Sequence, residues 1–370
     1  MLLPLRHSGV GLSSPSGIRA QVRLLGAGAV ADQQAADSWR EIVLYGANTA
    51  TYKFALGRSL LELARTGAST VSLDDLAVPF SRHMVEHVRQ VPRQSIAPSN
   101  RYVALCRHYV EGTINDTELH SATMLHGFRY VLDAFPKVLD RRHAQVEFYR
   151  VHKTGSERQL ALTDDLLALA AAPVAGSLDE ETETRWSLVE RTWQARHEDA
   201  GPLTVAYERP SESLIPLLLG KRRGFRFGVR PALNGYQRGF CFYCYRPISV
   251  LNEGEHGSDV DHFLPFSSFA RGVHLDLEGV WNLVLACKPC NSAKYAHAPA
   301  HRYLPQLAMR NEWLIASNHP LRETVMAETG ATKTARAAFL HLAYRTLTEV
   351  TATLWEAEPE GPYPFISAIG

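Results

Sequence analysis

Four of the five cysteines fall in two matched Cys-X-X-Cys pairs, Cys241/Cys244 and Cys287/Cys290. Each pair presents two sulfurs from one tight turn, and zinc takes four thiolates tetrahedrally, so the spacing points to a structural zinc site. The fifth, Cys106, lies in an apolar helical pattern and reads as a core thiol. Between the pairs stand Asp259-Val260-Asp261-His262 and Asn282, and Asn291 directly follows Cys290. A hard cation such as Mg2+ or Mn2+ prefers oxygen ligands and keeps most of its waters, so Asp261 and Asn291 are the expected protein ligands. His262, beside that acid, is a candidate general base near neutral pH. Asn282 is expected to fix the orientation and tautomer of the imidazole. Asp259 alternates with Asp261 on one strand face and reads either as an acid behind the ligand or as a loop-edge carboxylate. His256, His274, His297 and His301 flank the segment and read as surface groups, because four cysteines already saturate zinc.

The elements that must position these groups can be read from period and caps. An alternating run around Asp259 to Phe263 makes one strand, Val280 to Ala286 makes a second, and a helix opens at Asn291 after Pro289. A strand, strand, helix unit clamped by zinc results; structural zinc contributes about 10–16 kcal/mol to folding such an element, which makes it rigid with little core of its own. The surrounding chain is patterned as helices, giving a mainly α fold with a small α+β insert.

Five segments follow from that reading: an N-terminal arm (1–37), a helical domain (38–140), a β-hairpin, linker and helices (141–220), the zinc-stabilised unit (221–300) and a C-terminal helical region (301–370). In the helical domain, Ser72 with Asp75 marks a capped helix start, and His83 and His87, four apart without a partnering acid, read as core or surface histidines. Val146 to Val151 and Gln159 to Thr163 read as a hairpin, Ala171 to Thr184 as a linker, and Arg185 to Arg196 as an amphipathic helix with core tryptophans. The arm carries Arg6, Arg19 and Arg23 and no acid before Asp32, which a transit peptide would also show. Pro4 and the Gly/Ser/Pro run to Gly17 interrupt any amphipathic helix there, and the expectation is a flexible arm on a cytoplasmic protein.

With 370 residues, 45% of them hydrophobic and 21% charged, the chain has globular rather than fibrous or disordered composition. Its longest apolar runs, Leu166 to Ala172 and Leu214 to Leu219, fall far short of the ~20 residues that span a bilayer. Net charge is only +1, yet Lys221, Arg222, Arg223, Arg226, Arg230, Arg238 and Arg246 occupy a window to Val250 that holds no acid, leaving the remainder negative.

Residues 240 to 294 resemble the HNH nuclease family, the ββα-metal fold, in the subgroup with a four-cysteine zinc site. The matching residues are Cys241, Cys244, the Asp261-His262 pair with Pro265 behind it, Asn282 in an Asn-Leu-Val-Leu strand, Cys287, Cys290, and Asn291 followed by Lys294. The third signature position is Asn rather than His, a family variant that still offers oxygen. The stretch from His262 to Asn282 is longer than the pattern and carries Arg271, His274, Asp276 and Glu278, as an extended surface loop would.

The resemblance implies a metal-dependent endonuclease cutting DNA to 5′-phosphate and 3′-hydroxyl ends, with His262 activating water and Mg2+ on Asp261 and Asn291, in the setting of bacterial defence. It implies DNA as partner, contacted by Arg222, Arg223, Arg226, Arg230, Arg238 and Lys294, with interleaved aromatics along the basic stretch; the alternative is that those aromatics pack the zinc unit and the arginines are solvated. A protein partner or a second copy would dock through the helical regions. A reading of another class stands beside it: a catalytically silent, zinc-stabilised nucleic-acid-binding module of a larger complex.

Overall fold

Polar caps start many of the helices, and ion pairs between distant segments hold the helices to one another. The computed structural model describes residues 32–45, 49–138, 144–154, 157–198, 202–218, 221–222, 226–251, 256–265, 275–317, 319–350 and 353–365. Helix α1 (32–40) runs into a π-turn at Glu41–Tyr45 and is followed by α2 (Tyr52–Arg65) and strand β1 (Thr70–Ser72). Ser72 and Asp75 form the expected capping box of α3 (Leu73–Gln90), each satisfying an N–H that the helix start leaves open. Asn100 caps α4 (Arg101–Val110), and Asn115 with Glu118 caps α5 (Asp116–Ala122). A π-turn at Thr123–Gly127 leads to α6 (Val131–Ala134). The hairpin β2 (Tyr149–Thr154) and β3 (Glu157–Leu162) takes β1 onto the edge of β3.

Helix α7 (Asp164–Ala171) precedes α8 (Val174–His197), which at 24 residues overturns the linker expected over Ala171 to Thr184. That segment looks solvated because it is acid-rich, but its acids meet arginines far away in sequence. Arg40 reaches both oxygens of Glu181 at 2.8 and 2.9 Å, Asn234 donates to Glu181 at 2.7 Å, and Arg58 pairs with Asp179 at 2.9 Å. Residues 32–37, expected in the arm, are helical, and residues 1–31 lie outside the described residues.

Strands β4 (Thr204–Glu208), β5 (Ser213–Leu218), β6 (Lys221–Arg222) and β7 (Phe227–Gly228) form a sheet in which β5 pairs with the other three, an element absent from the sequence reading. After α9 (Val229–Gln237) comes the antiparallel pair β8 (Ser258–His262) and β9 (Leu283–Cys287), then α10 (Lys288–Lys294). Strand β10 (Ala298–Pro299), helices α11 (Leu304–Ala316), α12 (Arg322–Thr329) and α13 (Lys333–Val350), and β11 (Leu354–Trp355), parallel to β10, complete a mainly helical chain. One contiguous apolar core runs from Ala35 to Phe365, so the β8–β9–α10 unit shares its interior with the helices. No helix among the described residues is long and apolar enough to cross a membrane.

His83 and His87 are core groups. The His87 ring stacks on Trp186 at 3.5 Å and sits between Glu183 at 3.1 Å and Glu190 at 2.9 Å. Burial pushes the imidazole down, but the two carboxylates outweigh it and raise the pKa to about 9. The folded state therefore holds this proton more tightly than the unfolded chain, whose histidine titrates near 6.5. The resulting stability, about 3 kcal/mol, is fully present below pH 6.5 and is lost as pH rises through 9. Urea titrations at pH 6 and 9.5 check this: wild type should lose that increment relative to His87→Gln, and parallel behaviour of the two proteins would contradict it.

Candidate metal centre and its surroundings

The four cysteines converge. All four sulfurs lie within 4.8 Å of one another and all four residues are buried. Tetrahedral zinc with Zn–S bonds of about 2.3 Å requires sulfurs about 3.8 Å apart, and Cys244 Sγ and Cys287 Sγ stand at 3.7 Å. Tyr243 N–H and Cys287 N–H donate to Cys241 Sγ at 3.5 and 3.3 Å, which helps to neutralise a thiolate. Hydrogen bonds within the cluster divide the four thiols, with Cys287 held far below the usual range and Cys244 lowered, chiefly by Cys241, while Cys241 and Cys290 are pushed up. The donor set fits a metal ion such as zinc.

Local structure explains the convergence. The first pair lies in a tight turn, closed by Cys241 N–H to Arg246 O at 2.8 Å and ended by Tyr245 at φ 66°. Phe242 N–H donates to Leu285 O at 2.9 Å, and the Gln237 amide bonds both the N–H and the C=O of Leu285 at 2.8 Å, covering the outer edge of β9. The second pair begins at Cys287, the N-cap of α10, where Pro289 occupies the first turn and loses no hydrogen bond.

Strand alternation places Asp259 and Asp261 on the face that α10 covers. Asn291 Nδ2 donates to Asp259 Oδ2 at 3.0 Å, and one turn later Lys294 Nζ donates to Asp261 Oδ1 at 3.0 Å and to His262 O at 2.8 Å. Tyr243 OH donates to the other Asp261 oxygen at 2.5 Å. Asp261 is buried; that burial raises its pKa even though the Lys294 charge and the Tyr243 hydrogen bond oppose it. Two expectations change here. Asp261 does not meet Asn291, and an ammonium at its Oδ1 repels a divalent cation. Lys294 is fully buried in this pair rather than directed to a phosphate.

His262 lies on the opposite face of β8, 9% exposed, with its ring centroid 5.7 Å from that of Tyr207. Burial first, then the charges of Arg209 and Lys294, lower its pKa to about 4, so it is neutral at pH 7.

The hydrogen bonds of the Asn282 amide run to the backbone. Its side chain accepts from Leu264 N–H at 2.8 Å and donates to Leu264 O at 2.9 Å and Leu277 O at 2.8 Å, tying together the two ends of the segment between β8 and β9. Arg310 on α11, fully buried, donates to Trp281 O at 2.9 Å and Leu283 O at 2.8 Å, while Glu328 on α12 accepts from Val280 and Trp281 N–H at 3.1 Å. Neither residue carries a sequence signal. Tyr243 reads from the sequence only as one aromatic of the basic stretch, inside a Cys-X-X-Cys. Asn282→Ala would leave three buried backbone groups without a partner, and should cost about 3–5 kcal/mol. A urea titration showing less than about 1 kcal/mol would refute that role.

Each arginine of the basic window whose side chain the structure describes is in an ion pair, two of them with exposed side chains. Arg226 pairs with Glu208, Arg230 with Glu212 and through Nε with Ser258 O at 2.7 Å, Arg238 with Asp37, and Arg246 with Glu360 at 2.8 Å. The acids come from outside the basic window, which sequence charge counting cannot see. Arg223, Arg271 and His274 lie outside the described residues, as does the side chain of Arg222, whose backbone is in β6. His297 and His301 are exposed, as expected, and Cys106 is a buried core thiol. No family model, no curated protein and no solved structure matches the chain.

Proposed function

We propose that the chain is a metal-dependent phosphodiester hydrolase acting on nucleic acid, of HNH type with a structural zinc. One arrangement carries this reading: an antiparallel strand pair and a helix, closed on four sulfurs, with His262 ending β8, Asn282 preceding β9 and Asn291 on α10. Asp261 and Asn291 do not suit Mg2+, because Asp261 is buried against Lys294. Asp259 and Asn291 suit it better, as a carboxylate and an amide side by side at partly exposed positions. Bound there, Mg2+ or Mn2+ would neutralise charge developing on a phosphoryl oxygen. His262, neutral at pH 7, can accept a proton from water; Lys294 fixes its backbone carbonyl, and Asn282 and Arg310 hold the turn before β9.

The opposite placement of His262 and the Asp259–Asn291 pair favours a second reading, a zinc-stabilised module that binds nucleic acid without cutting it. Incubation of the zinc-loaded protein with supercoiled plasmid, single-stranded DNA and RNA decides between them, with Mg2+, Mn2+ or no added divalent cation. Cation-dependent cleavage supports the hydrolase. Retarded migration on a gel with every strand left intact supports the binding module and refutes the hydrolase.

A further inference from the structure

Helix α10 ends in a conformation that its sequence should avoid. Tyr295 has φ 45° and ψ −114°, and the His297 N–H closes the turn onto Lys294 O at 2.9 Å. These are the angles of the first central residue of a type II′ turn, a position that glycine takes without strain and a side chain does not. The ring offers folding no compensation, since Tyr295 is 80% exposed, more than any other exposed large hydrophobic residue among those described. The Tyr295 N–H closes the last turn onto Asn291 O at 3.0 Å, so the residue follows by one turn the amide that meets Asp259, and Lys288 is exposed at the start of the same helix. A solvated aromatic held on a strained backbone next to a polar site has its use outside the fold. We infer that Tyr295 is a stacking platform for an unpaired base of a nucleic-acid strand, with Lys288 near the backbone phosphates. The bound strand is therefore single-stranded or locally unpaired at this point, because a base inside a duplex has no free face to offer.

This rests on the nucleic-acid reading above but not on cleavage. The test is fluorescence anisotropy at fixed salt with labelled dT20, rU20 and dT20 annealed to dA20, using wild type, Tyr295→Phe and Tyr295→Gly, together with thermal melts. Single strands should bind in preference to the duplex. Phe should keep the affinity, and Gly should weaken it about 5- to 150-fold. At the same time Gly should raise Tm by about 1–3 °C, because it relieves the turn. A merely structural tyrosine would give the reverse sign in the melt. Unchanged affinity in Tyr295→Gly, a duplex preference, or no binding of either strand by wild type overturns the inference. Tyr295-dependent binding by a protein that never cuts supports it while removing the hydrolase reading.

Discussion

Replacing Cys241 or Cys287 with serine should abolish zinc retention and unfold the β8–β9–α10 unit, so that the variant is recovered insoluble or loses its cooperative melt. The expected size follows from the geometry. A structural zinc contributes about 10–16 kcal/mol in small elements, as much as the whole 5–15 kcal/mol net stability of an ordinary domain. Here the metal would clamp the turn at Cys241 to the junction where β9 runs into α10, beyond the hydrogen bonds of Phe242 and Gln237 to Leu285. Because the unit's interior is continuous with the helices, the damage should spread beyond it. Zinc quantification with a colorimetric chelator, beside a thermal melt, checks both halves. A soluble serine variant with wild-type Tm would remove the structural-metal assignment.

The second large effect concerns cleavage. His262→Ala should lower the rate about 10²- to 10⁴-fold if the imidazole is the base, with zinc content retained. Since the ring is buried beside Tyr207, His262→Gln is the companion variant that keeps most of the volume. With its pKa lowered to about 4, His262 stays neutral and competent well below the pH at which an exposed histidine protonates. Activity should therefore persist at pH 5.5 and fall as the pH drops through about 4. An acid limb near 6.5, or full activity in both variants, would place the base elsewhere.

The parts of the chain legible in the sequence are those whose physics is local. Two Cys-X-X-Cys pairs announce a four-sulfur cluster because the ligand geometry is built into the spacing. The alternation around Asp259 to Phe263, the Ser72–Asp75 capping box and the hairpin of β2 and β3 are local as well. What stayed hidden depends on partners far away. The acids of α8 resemble a linker until Arg40 and Arg58 are set against them, and the arginines around β7 and α9 resemble a free basic face until Glu208, Glu212 and Asp37 meet them. The neighbours of Asp261 were hidden for a further reason: Tyr243, in the first cysteine turn, and Lys294, at the end of α10, are 51 residues apart and meet only once the chain is folded.

The closeness of the sulfurs has a consequence for the protein's lifetime outside a reducing environment. Cys244 and Cys287 Sγ lie 3.7 Å apart, and a disulfide needs about 2.05 Å, so a displacement of under about 2 Å would bring them into bonding range once no ion holds them. Given an external oxidant to take the two electrons, loss of zinc would become a ratchet: the departing metal leaves a thiolate beside a thiol, the disulfide forms, and two of the four ligands are withdrawn. Inactivation would then be slow to reverse by adding zinc alone and would need a reductant first. The same clustering that gives the unit its rigidity would make its metal loss a one-way event in air.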